Sequence, residues 1–165
     1  MQLECKTVYL LLGSNLGDRR TIINAAVELI ARQIGPIILR SSWYETAAWG
    51  NEDQPSFLNI AIAISTNKAP AELLTETLAI EETLGRIRKD RWGARLIDID
   101  IILYGDEIID LAGRLQVPHP RMQDRRFVLE PLAEIAGTVV HPILQQNILT
   151  LLSSLNDNLA VTKLI

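Results

Sequence analysis

The order of the apolar segments predicts an α+β fold. Three features carry that reading. Short β-rich runs alternate with two longer stretches of helical periodicity, and glycine or proline stands at most of the junctions. The resulting order over residues 8–104 is β-α-β-β-α-β, the ferredoxin-like pattern of an antiparallel sheet with two helices on one face. The remaining sixty or so residues are less regular and form a C-terminal extension.

Residues 8–12 form an apolar run that reads as a buried strand. The following Gly13-Ser14-Asn15-Leu16-Gly17-Asp18 reads as a tight turn into a helix, with Asp18 as its cap. That helix extends to about residue 34: Ile22, Ile23, Ala26, Leu29, Ile30 and Ile34 recur at helical spacing, and Gly35-Pro36 stops it. Residues 37–46 read as a second strand. Residues 57–65 read as a third, where isoleucines alternate with alanines, so both faces are expected to be covered. Pro70 suits the first turn of a second helix, whose inner side is Leu73, Leu74, Thr77, Leu78, Ile80 and Leu84; Gly85 ends it. Residues 96–104 form the fourth strand. A turn-rich stretch from Val117 to Arg121, a short helix at 131–136 and a weak helix at 148–155 complete the chain.

The length of 165 residues predicts a single domain over residues 1–165, and 48% hydrophobic residues argue against disorder. Sixteen basic and twenty acidic side chains leave a net charge of −4, unfavourable for binding nucleic acid through bulk charge. One cysteine, Cys5, excludes an internal disulfide and any cysteine-rich metal site. The first residues carry no secretory pattern and no apolar run could span a bilayer, so a cytoplasmic protein with no membrane partner is expected. A monomer is expected as well, because no self-association stripe stands out.

The sharpest chemical feature is Leu96-Ile97-Asp98-Ile99-Asp100-Ile101-Ile102-Leu103. Period-two alternation puts Ile97, Ile99, Ile101 and Leu103 on one face, and Asp98 and Asp100 on the other. Their α-carbons would stand roughly 6.6 Å apart. Two such carboxylates repel unless compensated, and magnesium, with its preference for hard oxygen ligands, is the natural compensator. A solvent-facing pair that discourages edge pairing fits the same pattern, as does a general acid/base pair. Just upstream, Arg86, Arg88, Lys89, Arg91 and Arg95 surround a single carboxylate, Asp90, with Trp92 among them. Arginines clamp phosphate oxygens, and cations beside carboxylates suit a magnesium-nucleotide site. An ordinary solvated loop, or an RNA surface with Trp92 as a stacking platform, fits the charge run too. His119, between Pro118 and Pro120, is either a phosphate donor or structural; His141 reads as structural, and the two do not make a zinc site. Asn59 stands amid apolar strand neighbours, where it could read a heterocycle's edge or satisfy backbone groups.

Four segments together resemble the 6-hydroxymethyl-7,8-dihydropterin pyrophosphokinase family of folate biosynthesis. They are Gly13-Ser14-Asn15-Leu16-Gly17; Gln54-Pro55-Ser56-Phe57-Leu58-Asn59; Arg91-Trp92-Gly93-Ala94-Arg95-Leu96-Ile97-Asp98-Ile99-Asp100; and Val117-Pro118-His119-Pro120-Arg121-Met122, continuing to Arg125, Phe127 and Leu132. The resemblance covers about residues 7–145. It implies transfer of pyrophosphate from ATP to the pterin's hydroxymethyl oxygen, releasing AMP. Asp98 and Asp100 match the ligands of two magnesium ions, and Arg86 and Arg95 match loop residues that organise the phosphates. Glu81, Arg88, Arg91, Ile99, His119 and Arg125 match the ATP side; Thr46, Ala47, Trp49, Phe57, Asn59, Trp92 and Phe127 match the pterin side. Departures fall in Ala47-Ala48-Trp49-Gly50, where many relatives carry prolines and a smaller aliphatic. The competing expectation is a non-catalytic ferredoxin-like module that binds nucleotide or RNA.

Overall fold

The computed structural model describes residues 4–47, 55–85 and 96–164. In chain order these form β1 (Lys6–Ser14), α1 (Arg19–Gln33), β2 (Ile37–Arg40), β3 (Tyr44–Thr46), β4 (Phe57–Thr66), α2 (Pro70–Thr83), β5 (Asp98–Tyr104), β6 (Ile109–Asp110), β7 (Gln116–Val117), α3 (Arg126–Ala136), α4 (Ile148–Ser153) and β8 (Val161–Lys163). A six-stranded antiparallel sheet has the order β5-β1-β4-β3-β8, with β2 also on β4; β6 and β7 pair separately. The expected β-α-β-β-α-β core is present, with the α+β layering that follows from it.

Both faces of the sheet are covered, as the isoleucine–alanine alternation of β4 predicts. Leu58, Ile60, Ile62 and Ile64 join Leu10 and Leu12 of β1 and Ile23, Ala26, Ile30, Leu73 and Ile80 of α1 and α2 in one core. Ala61 and Ala63 face the other way, where their small side chains admit Val128, Leu129 and Leu132 of α3 and Ile148 and Leu151 of α4. The C-terminal extension is therefore the second layer of the sandwich. Asp18 caps α1 by accepting the Thr21 amide at 3.2 Å, and Gly85 follows α2 at φ +85°, a conformation that L side chains rarely adopt. No helix among the described residues is long and apolar enough to cross a membrane.

Several expectations need correction. The strand expected over 37–46 is split into β2 and β3. Ser41 takes over one β4 contact with its side chain, its Oγ accepting the Ala61 amide at 2.9 Å, and the register slips by one residue between Arg40–Ile62 and Tyr44–Asn59. Gly13 and Ser14 are not turn residues but the end of β1; the turn begins after them. Leu103 does not share a face with Ile97, Ile99 and Ile101. A register shift between β1 and β5 places it, with Ile102, in the second core. Leu78 is 41% exposed rather than on the inner side of α2; Glu81 is buried there instead. Helix α3 starts at Arg126, not at Pro131: the proline lies inside it, past the first turn, where its missing amide removes one helical bond. Strand β8 was not expected, because Val161-Thr162-Lys163 is too short to show a period.

Candidate functional site

Pairing register brings distant residues into one row. Tyr44 of β3 opposes Asn59 of β4, Asn59 opposes Gly13 of β1, and Gly13 opposes Asp98 of β5. One step along, Thr46 opposes Phe57; one step the other way, Asp100 opposes Leu11 and Leu11 opposes Ala61. Strands about 4.8 Å apart thus carry a polar strip across the α3 side of the sheet, beyond the end of the second core. Thr46, Phe57, Asn59, Gly13, Asp98 and Asp100 form the floor of a cleft of about 980 Å³.

Gly13 shapes that floor. A Cβ there would collide with Asn59 Oδ1, so the missing side chain is the space the Asn59 carboxamide occupies. Asn59 is 4% exposed and Thr46 equally buried, and Thr46 Oγ1 has no hydrogen-bond partner among the described residues. A buried, unmet hydroxyl costs about 1–3 kcal/mol.

The first two sequence motifs meet behind this floor. Asn15 Nδ2 donates to the Pro55 carbonyl at 3.3 Å. Arg19 Nη1 donates to the Ser56 carbonyl at 2.9 Å and its Nη2 lies 3.0 Å from Glu45 Oε2. The Gly-Ser-Asn segment therefore serves as an anchor for the chain entering β4, a role its spacing alone did not show.

Among the described residues no strand lies beyond β5 at the sheet edge, and its outward amides need partners. Glu81 supplies one: its Oε2 accepts the Ile99 amide at 2.7 Å from a side chain buried in α2. Asp98 is half-buried and Asp100 exposed, both toward the cleft. Among the described residues no group of three or more carboxylate, histidine or cysteine side chains converges on a metal position. Two hard carboxylates alone still suit magnesium, which ordinarily takes one or two protein carboxylates and completes its shell with substrate phosphates and water.

The opposite rim comes from the segment leading into α3. His119 donates its backbone amide to Ile102 O at 3.0 Å, which ties this segment to β5. Its Nδ1 accepts the Arg121 amide at 3.2 Å, so the ring proton belongs on Nε2. Burial, with Arg125 and Arg121 nearby, holds His119 below the ordinary imidazole range, so it is a neutral donor at pH 7. Arg125 stacks over Phe127 with its guanidinium carbon 5.6 Å from the ring centre, and both line the cleft. Glu81, Ile99 and Ala47 also line it. The structure thus brings together every described residue singled out for the site. Trp49, Arg86, Arg88, Arg91, Trp92 and Arg95 lie outside the described residues. Asp157 and Leu159 of the extension line the cleft too, and nothing in their local sequence marks them.

Residues 9–137 match the model of the family described as 7,8-dihydro-6-hydroxymethylpterin-pyrophosphokinase. The 2-amino-4-hydroxy-6-hydroxymethyldihydropteridine pyrophosphokinase of Bacillus subtilis is 49% identical over 132 residues, covering 79% of this chain and 78% of the relative. That of Aquifex aeolicus is 45% identical over 137 residues, covering 83% and 84%. In solved structures, the wild-type Plasmodium falciparum HPPK-DHPS with pteroate superposes with a TM-score of 0.76 over 93% of this chain at 16% identity, a likeness of fold. This chain spans 45% of that longer one.

Proposed function

The chain belongs to the 7,8-dihydro-6-hydroxymethylpterin-pyrophosphokinase family, and on that premise we propose how its residues divide the work. The enzyme transfers pyrophosphate from ATP to the hydroxymethyl group of 6-hydroxymethyl-7,8-dihydropterin, giving the pterin diphosphate and AMP. The hydroxymethyl oxygen attacks the β-phosphorus, the bond from that phosphorus to the oxygen retained by AMP breaks, and the hydroxyl proton leaves to solvent. Such transfer depends on alignment and charge neutralisation more than on a protein nucleophile.

The pterin end of the cleft lies over Thr46, Ala47, Phe57 and Asn59, with Phe127 as the aromatic wall. The carrying observation is buried Asn59 in register with Asp98 through Gly13, with the buried Thr46 one step along the same strip. A flat heterocycle edged with amide and amine groups matches that polarity. ATP occupies the end bounded by Ile99, His119 and Arg125; by the family resemblance, Trp49 and Trp92 would serve the pterin and Arg86, Arg88, Arg91 and Arg95 the nucleotide and its phosphates. Neutral His119 offers its Nε2–H to a phosphate oxygen. Glu81 holds the Ile99 backbone, and through it the strand that carries both aspartates.

Asp98 and Asp100 would hold two magnesium ions. Magnesium there would offset the polyphosphate charge and make the substrate hydroxyl more acidic. One domain supplies both ends of the cleft, which supports an enzyme that acts as a monomer.

The test is incubation with ATP, magnesium and 6-hydroxymethyl-7,8-dihydropterin, with the nucleotides separated by chromatography. AMP and pterin diphosphate should appear one for one. ADP in place of AMP would make the protein a simple kinase. Nucleotide binding without any product would favour a binding module.

A further inference from the structure

The chain beyond α4 runs as a strap across the amino end of α3 and finishes as β8 on β3. Arg125, at the N-cap position of α3, gives no side-chain cap. The open Arg126 amide is met from 31 residues away, by Asp157 Oδ2 at 3.0 Å. Arg126 Nε returns a bond to the Asp157 carbonyl at 3.2 Å, and Asp157 Oδ1 accepts the Leu159 amide at 2.9 Å. Two residues further, Val161 pairs with Thr46. The strap therefore spans from the turn that carries Phe127 to the strand that carries Thr46, the two sides of the proposed pterin pocket. Asp157 and Leu159 face the cleft between them.

We propose that the strap is a working wall of the pterin pocket, with Asp157 a positioning residue that sets the first turn of α3, and hence Phe127, against the pterin. This deepens the pyrophosphokinase reading and rests on it. A carboxylate at a helix amino end satisfies an orphan amide and meets the positive end of the helix dipole. Because the same carboxylate also fixes the Leu159 backbone, it couples the helix turn to the opposite wall. Loss of this group moves two sides of one pocket; of the residues proposed for the nucleotide, it reaches Arg125, next to the turn that moves, and leaves Ile99 and Glu81 at the β5–α2 end in place.

The experiment compares wild type with Asp157→Ala, Asp157→Asn and Leu159→Ala. It reads equilibrium binding of 6-hydroxymethyl-7,8-dihydropterin, by its fluorescence, with a non-hydrolysable ATP analogue present. The analogue's own affinity and the melting temperature are read alongside. Asp157→Ala should weaken pterin binding roughly 5- to 20-fold and change analogue binding less than about 3-fold. Asp157→Asn keeps one acceptor oxygen where the carboxylate has two, so it can meet the Arg126 amide but not the Leu159 amide as well, and it should recover part of the loss. Leu159→Ala keeps the backbone bond and removes the wall, so pterin binding should fall with the melting temperature unchanged; this variant decides the matter if Asp157→Ala does not fold. Wild-type pterin affinity in both alanine variants would overturn the proposal. So would equal loss of both affinities together with a lowered melting temperature, or an asparagine variant no better than alanine. Wild type that binds no pterin would instead overturn the reading of the cleft itself.

Discussion

Replacing Gly13 with alanine should damage the pterin site and spare the fold. Gly13 lies inside β1 at a backbone conformation open to any L residue, since it is not among the positive-φ glycines. Added to that backbone, a Cβ meets the Asn59 Oδ1 at once and approaches Asn59 Cγ to 3.5 Å, while the nearest backbone atom, Leu58 O, stays 3.7 Å away. The obstacle is thus the end of a side chain, which can turn aside. Turning costs about 0.5–1.5 kcal/mol as an off-rotamer penalty, and alanine regains about 0.4–1 kcal/mol through the unfolded chain. Net stability should stay within about 1 kcal/mol of wild type. The displaced carboxamide no longer presents its hydrogen bonds to the pterin, a loss of about 1.5–3 kcal/mol, or roughly 10- to 150-fold in affinity. The assay is pterin fluorescence titration beside thermal melting. Gly35 provides the contrast: its Cβ would strike the Ser65 backbone carbonyl, which cannot turn aside, so Gly35→Ala should lower the melting temperature. A Gly13→Ala protein with wild-type pterin affinity, or one that unfolds, would refute the role given to this glycine.

Other outcomes follow from the same geometry. Tyr44 donates its hydroxyl to Glu134 at 2.7 Å, and Ser42 adds its amide and hydroxyl; burial and the nearby carboxylate push the Tyr44 phenol up. Tyr44→Phe should therefore cost about 1–2 kcal/mol in denaturant unfolding and leave the pterin and ATP affinities near wild type. His119 and His141 are both held below the ordinary value of 6.5, chiefly by burial. The unfolded chain then binds more protons in mildly acid solution, so stability should be full above pH 6.5 and fall as the pH drops through the lowered folded values. Melting curves in that range check this, and His141→Gln should flatten part of the slope.

What could be read in the sequence was what depends on local period. The alternation Ile97-Asp98-Ile99-Asp100-Ile101 marked a strand with two carboxylates on one face, and the Ile/Ala alternation of β4 announced two covered faces. What could not be read depends on pairs far apart in the chain. Gly13 reads as a turn glycine until Asn59, forty-six residues on, is laid beside it. The split between β2 and β3 rests on Ser41 reaching Ala61, and the displaced Leu103 on a one-residue shift against β1. Glu81 shows helical spacing but not that its carboxylate covers the open edge of β5. Asp157 carries no local pattern at all; its meaning comes from an amide 31 residues earlier.

The paired aspartates on β5 are the centre of the proposed chemistry, and Asp98→Asn tests them most directly. The substitution keeps size and polarity and removes one charge from the metal position. The measurement is the rate of pterin-dependent AMP release at saturating ATP and magnesium, on protein shown by melting to be folded and by fluorescence to bind pterin. A loss of about 4 kcal/mol of transition-state stabilisation, roughly a thousandfold in rate, is expected. A folded Asp98→Asn enzyme that releases AMP within tenfold of wild type would contradict the assignment of the metal site to this strand.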